Sequence, residues 1–400
     1  MKSKFFRKIL ENGMTVLFEK RDLPVVSIAI AVKTGGIHET ETEKWISHFI
    51  EHMLYKGTKN RTSKQIAAEI ENRGGELNGF TDETITAYWC KLPSKHLERG
   101  LDVLGDMVKN SLFDEKEMEK ERKVIFEEIK MRKDNPHIYV MDHIHSSLYE
   151  KPFGIPLIGT HESMNSITRE KILKKFQQIY QPNNMILCVV GDADFDGIVQ
   201  FAEKNFGREK GATPKIKVQE KNEIKTEKRK GIDQASLVFA YHGPKAGEKG
   251  EYAAMVLNTI MADGMASRLF SEIREKRNLA YAVKGSTDIN KDFSYSIVYV
   301  GTTKENVDEV KKIILREFQN VSKDLTEKEL SDAKENLIGN TQISLEDSMS
   351  QMIHLINWEI VEGNAEKFYG FEKNIRKVGL KDVKEVAKIK DYSLFVLVPE

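Results

Sequence analysis

The feature that most constrains the fold is an internal echo: the order of elements in the first half of the chain returns in the second. The apolar run PVVSIAIAV, from Pro24, is followed by a glycine-containing turn and the helical pattern WISHFIEHMLY. In the second half QASLVFAY, from Gln234, leads in the same way into YAAMVLNTIM. Each half continues with a helical segment (SKQIAAEIENRGG, ASRLFSEIREKRN), an alternating strand (TDETITAYWCKL, DFSYSIVYVGT) and an amphipathic helix (SKHLERGLDVLGDMVKN, KENVDEVKKIILREFQN). Each closes with a helix running into an apolar strand. Such an order predicts an α+β protein of two homologous α/β-layered domains, each a mainly antiparallel sheet packed with helices.

The 400 residues suit two such units. The sharpest change in composition lies between Gly207 and Gly231, a polar, charge-dense stretch without aromatics. Residues 208–230 therefore read as a linker between domains at 1–207 and 231–400. The 62 Lys and Arg balance the 62 Asp and Glu, so no global field draws the chain to nucleic acid or to an anionic membrane, and neither is expected as a partner. The N-terminal MKSKFFRKILENGM reaches Glu11 before any apolar core of signal-peptide length, and Pro24 to Val32 is far shorter than a membrane helix. A cytoplasmic location is expected. Cys90 and Cys188 form neither a disulfide framework nor a C-x-x-C pair and read as buried thiols.

Chemistry concentrates at His48, Glu51 and His52, the HFIEH of the first helix. Positions i, i+3 and i+4 share one helical face, so both imidazoles can reach one ion with the carboxylate beside them, an H-x-x-E-H arrangement. Ten histidines and 62 acidic residues in 400 would place this pattern by chance about 0.04 times, so coincidence explains it poorly. Two solvated surface histidines would be the plainer alternative, but Trp45, Ile46, Phe49, Ile50, Met53 and Leu54 make this an unusually apolar helix for exposed polar groups. Two imidazoles suit Zn²⁺, which at a catalytic site takes a third protein ligand and keeps a position for water. The helix KEMEKERKVIFEEIKMRKDNP, stopped by Pro136, offers that ligand. Glu127 has lysines a turn away on either side, as on a solvent face, whereas Glu128 lies among Val124, Ile125 and Met131 with Glu121 two turns earlier. Glu128 is thus the expected ligand and Glu121 an auxiliary carboxylate.

With HFIEHMLYKGT, Glu121 and Glu128 in place, the chain resembles the pitrilysin (M16, inverzincin) family of zinc metallopeptidases. GGELNGFTDETITAY and SRLFSEIREKRNLAY also match family segments. The length is similar to the half-size branch that includes mitochondrial processing peptidase and bacterial homologues. The resemblance implies His48, His52 and Glu128 as ligands of one Zn²⁺ per chain, Glu51 as general base and Glu121 in support. It further implies Asn78 as a contact to the substrate, and Arg274 with Tyr281 as a pair that grips its backbone. The family usually has Ala where Gly79 stands. The second half carries no H-x-x-E-H, as in a duplicated unit that lost metal chemistry.

The expected function is that of a zinc endopeptidase or oligopeptidase acting on extended or unfolded peptides in a closed chamber, built by a homodimer. A processing peptidase for targeting or leader peptides, or a non-catalytic structural subunit, are the alternatives the resemblance leaves. His143 and His145 read as surface or packing residues, and His242 and His354 carry no assigned role.

Overall fold

The computed structural model describes residues 4–212 and 217–400. Residues 213–216 of the expected linker lie outside the described ones, and its final part, Ile224–Arg229, is a strand. The chain forms two compact units, each gathered from three segments. The first comprises Met1–Ile129, Leu157–Ile216 and Ser344–Phe368, and the second Lys130–Pro156, Lys217–Ile343 and Tyr369–Glu400.

In the first unit β1 (Lys4–Ile9), β2 (Thr15–Lys20), β3 (Val25–Val32), β4 (Glu76–Thr81), β5 (Thr86–Pro93) and β6 (Met185–Gly191) form one sheet in the order β1-β2-β6-β3-β5-β4. Only β2 and β6 pair in parallel. The central β3 is buried on both faces, which is why its sequence is a continuous apolar run. Val26, Ile28, Ile30 and Val32 enter the main core, while Ala29 and Ala31 enter a second cluster behind the sheet. The main core is closed by α1 (Ile46–Leu54), α2 (Ser63–Glu71), α3 (Leu97–Asn110) and, through Met118, Ile125 and Ile129, α4 (Glu115–Asp134). The rear cluster is closed by helix Ser348–Glu362, whose Met352, Leu355 and Ile356 pack with Leu17, Ile186 and Cys188.

The second unit repeats this plan. Its strands β7 (Ile224–Arg229), β8 (Ala235–His242), β9 (Ala280–Ile289), β10 (Ser294–Thr302) and β11 (Ser393–Pro399) lie in the order β7-β11-β8-β10-β9. The antiparallel run β11-β8-β10-β9 matches β6-β3-β5-β4 strand for strand, and β7 lies parallel to β11 as β2 does to β6. This is the duplication that the sequence echo predicts. Helix Glu251–Ala262 follows β8 as α1 follows β3.

The segment SRLFSEIREKRN departs from the expected α-helix. Phe270–Glu275 is a π-helical turn in which the Lys276 N–H donates to the Ser271 carbonyl, a spacing frequent at functional sites. The helix Pro136–His143 packs on β8 and β11, with the Tyr139 and His143 rings stacked at 3.8 Å. His145 is buried with Nε2 2.9 Å from the Tyr295 hydroxyl, so both histidines serve packing. Both cysteines are buried free thiols. Among the described residues no helix is long and apolar enough to cross a membrane.

Candidate metal centre

The start of α1 is held in an uncommon way. Trp45, the residue before the helix, has φ 71°, a left-handed conformation that few large side chains adopt. The buried Glu39 carboxylate fixes it by accepting the Trp45 N–H with one oxygen and the Ser47 N–H with the other, both at 2.8 Å, where the helix dipole favours negative charge. The Trp45 ring then stacks on His48 with centroids 4.4 Å apart. Ile46, Phe49, Ile50, Met53 and Leu54 anchor the helix in the core, which leaves His48 and His52 partly exposed on one side.

α4 brings its carboxylates to that side. His48 Nε2 is 3.0 Å and His52 Nε2 3.9 Å from Glu128 Oε2, and one ligand atom from each of the three residues lies within 4.8 Å of the others. The remaining nitrogens have partners of their own. His52 Nδ1 is 3.0 Å from Glu121 Oε2, and His48 Nδ1 is 3.4 Å from Glu51 Oε2. Burial lowers the His48 imidazole, but the hydrogen bonds to Glu128 and Glu51 outweigh it and raise its pKa to about 9.

Two imidazole nitrogens and a carboxylate oxygen converging in this way are a donor set that fits zinc, with the outer nitrogen of His52 held by a carboxylate as is usual for metal-bound histidine. Glu127 is exposed, as its lysine neighbours imply. The surroundings of Glu128 differ from expectation: Ile125 is buried, but Val124 and Met131 are 50% and 63% exposed. Glu128 faces the histidines because of its helical phase with Glu121, not because an apolar wall encloses it.

Three further residues complete the geometry without a signal that sequence reasoning used. Thr81, the last residue of β4, donates its hydroxyl to Glu51 Oε2 at 2.6 Å. Lys56 pairs with Glu121 Oε1 at 2.6 Å. The hydroxyl of Tyr55 is buried with no hydrogen-bond partner among the described residues and would lie 2.6 Å from a Cβ placed on Gly79. Alternation along β4 puts Gly79 and Thr81 on the Glu51 side, and Asn78 with Phe80 on the other. Asn78 is exposed, and its side chain accepts the Gly79 N–H at 2.8 Å.

Arg274 and Tyr281 belong to the second unit. Arg274 is exposed on the π-helical turn, with its guanidinium 5.0 Å from the Phe270 ring centroid. Tyr281 sits at a bulge between β9 and β10, 48% exposed, its ring over Gly301 and its hydroxyl 3.4 Å from that of Tyr299.

Comparison with known proteins agrees with this geometry. Residues 15–161 match the insulinase family (peptidase family M16), and residues 166–337 match the peptidase M16 inactive domain. The chain is 32% identical over 402 residues to the uncharacterized zinc protease YmxG of Bacillus subtilis, covering 98% of each. The chain belongs to peptidase family M16. Another relative, the uncharacterized zinc protease Rv2782c of Mycobacterium tuberculosis, is 30% identical, with 96% of this chain and 90% of that protein covered. The fold is that of a protease from Helicobacter pylori (TM-score 0.92, 22% identity, 99% and 100% of the two chains covered). It is also that of a structure described as a peptidase M16 inactive domain from Pseudomonas fluorescens (TM-score 0.89, 18% identity, 100% and 98% covered).

Proposed function

We propose that the chain is a zinc-dependent endopeptidase or oligopeptidase of extended peptides, with His48, His52 and Glu128 as metal ligands and Glu51 as general base. The observation that carries this reading is the convergence of those three side chains beside a carboxylate that is not among them. Zinc, when bound, supplies a Lewis acid that polarises the scissile carbonyl and acidifies water. Glu51 does the proton work. Its Oε2 is engaged by Thr81, so Oε1, which accepts no hydrogen bond among the described residues, is the oxygen that takes the proton of the attacking water and returns it to the leaving amine. A purely structural subunit has no use for a glutamate aligned in this way.

Extended peptides are the substrates this reading favours, because β4 is an edge strand beside Glu51 and an unpaired backbone can add to it. Arg274 and Tyr281 supply donors for a peptide backbone in a homodimeric chamber, and processing of leader peptides would use the same centre. Protein purified without chelator should contain about one zinc per chain and cleave members of a mixed peptide library. Chelation should abolish cleavage and added zinc restore it. Protein without zinc that cleaves equally well in chelator overturns the proposal.

A further inference from the structure

We infer that Lys56 is a positioning residue for His52, acting through Glu121; the inference rests on the metal reading above. Lys56 lies four residues after His52, just beyond the end of α1. Its Nζ is 2.6 Å from Glu121 Oε1, while Glu121 Oε2 is 3.0 Å from His52 Nδ1. The two oxygens of one buried carboxylate are thus divided between an ammonium and an imidazole. Rotation of that carboxylate about its last side-chain bond would break both contacts together, so Lys56 fixes the plane in which Glu121 meets the ring. With Nδ1–H donated to Glu121, the lone pair of His52 stands on Nε2, the nitrogen that faces Glu128.

A plain ion pair between α1 and α4 makes a different forecast. An ammonium close to a dication site repels the ion, so electrostatics alone says that removing it tightens zinc binding. If Lys56 holds Glu121 in place, its removal must weaken binding instead. The sign of the change decides between the two.

The experiment measures zinc affinity of the metal-free chain by competition with a chromophoric chelator. Lys56→Met is expected to weaken binding about tenfold, the lower end for a residue that orients a ligand at one remove, and Lys56→Arg to stay within about threefold of wild type. Glu121→Gln should also weaken binding, and adding Lys56→Met to it should cost little more, since both act along one path. Lys120→Met, which removes an exposed ammonium from α4, controls for charge and should leave affinity unchanged. Melting of the metal-free variants checks the fold, and Lys56→Gln serves as a second variant should Lys56→Met not fold. Binding by Lys56→Met or Lys56→Gln as tight as wild type, or tighter, overturns the role of Lys56 and leaves the metal site standing. A wild-type chain that binds no zinc, or binds it equally after His52→Ala, overturns the metal reading itself.

Discussion

Glu51 and Glu128 are both carboxylates beside His48, and their surroundings predict different fates on substitution. Glu51 is nearly buried and tied to Thr81, whereas Glu128 reaches both imidazoles from another helix. Glu51→Gln should retain zinc and lose nearly all turnover, because an amide cannot take the water proton. Glu128→Gln should lose zinc affinity, and the exposed Glu127→Gln should change neither; metal content and peptide cleavage measured on the same preparations check all three. A second residue-scale expectation concerns Tyr55 and Gly79. A methyl group at position 79 would meet the Tyr55 hydroxyl at 2.6 Å and the Ala87 carbonyl at 2.9 Å, which accounts for glycine where the family usually has alanine. Gly79→Ala should destabilise by about 1–3 kcal/mol. Tyr55→Phe, which removes a buried hydroxyl with no hydrogen-bond partner among the described residues, should be neutral or stabilising by about 1 kcal/mol. In the Tyr55→Phe background Gly79→Ala should cost less than it does alone, and a double-mutant cycle by urea unfolding measures the difference.

At the scale of elements, the stretch leading into α1 carries the clearest dependence on pH. His38 closes a short 3₁₀ turn, its Nδ1 accepting the Gly35 N–H at 3.1 Å, and burial lowers its pKa from 6.5 to about 4. Between those values the unfolded chain binds a proton that the folded chain refuses, so stability is full above about 6.5 and falls as pH drops toward about 4. The loss amounts to about 3 kcal/mol. Urea unfolding of the metal-free protein across this window should show a shallower acid limb for His38→Gln than for wild type. Much of this architecture was legible in advance. The runs that became β3, β6 and β8 announce themselves because strands buried on both faces tolerate few polar residues, and HFIEH does so because a helix face is set by spacing alone. Thr81, Lys56 and Glu39 were not legible. Each acts on a partner that only tertiary packing brings near, and a threonine, lysine or glutamate in a polar stretch has a sufficient local explanation. The π-helical turn was hidden for a related reason, since its apolar spacing is close to that of an α-helix.

For the whole molecule, five strands of each sheet follow one plan, yet among the described residues only the first unit carries a His/His/Glu group able to hold a metal, so the chemistry is asymmetric between two like units. The proposed homodimeric chamber, in which the zinc face of one chain would work with Arg274 and Tyr281 of a second copy, makes a forecast that can be tested. Glu51→Gln and Arg274→Ala homodimers should each be impaired, and mixing them with subunit exchange should recover roughly a quarter of wild-type activity, because half the dimers are mixed and each has one intact site. Activity that stays at the sum of the separate parents after verified exchange removes the shared site. The division of each unit among three segments has a consequence for how the protein is made. When β6 leaves the ribosome the sheet of the first unit is complete in strands, but Met352, Leu355 and Ile356, which cover its rear face at Ala29, Ile186 and Cys188, have not been synthesised. At ~5–20 residues per second that apolar face waits about 8 to 33 seconds for its cover. The nascent chain therefore depends on transient shielding of that face, and the first unit, though it begins at the N-terminus, becomes complete only near the end of translation.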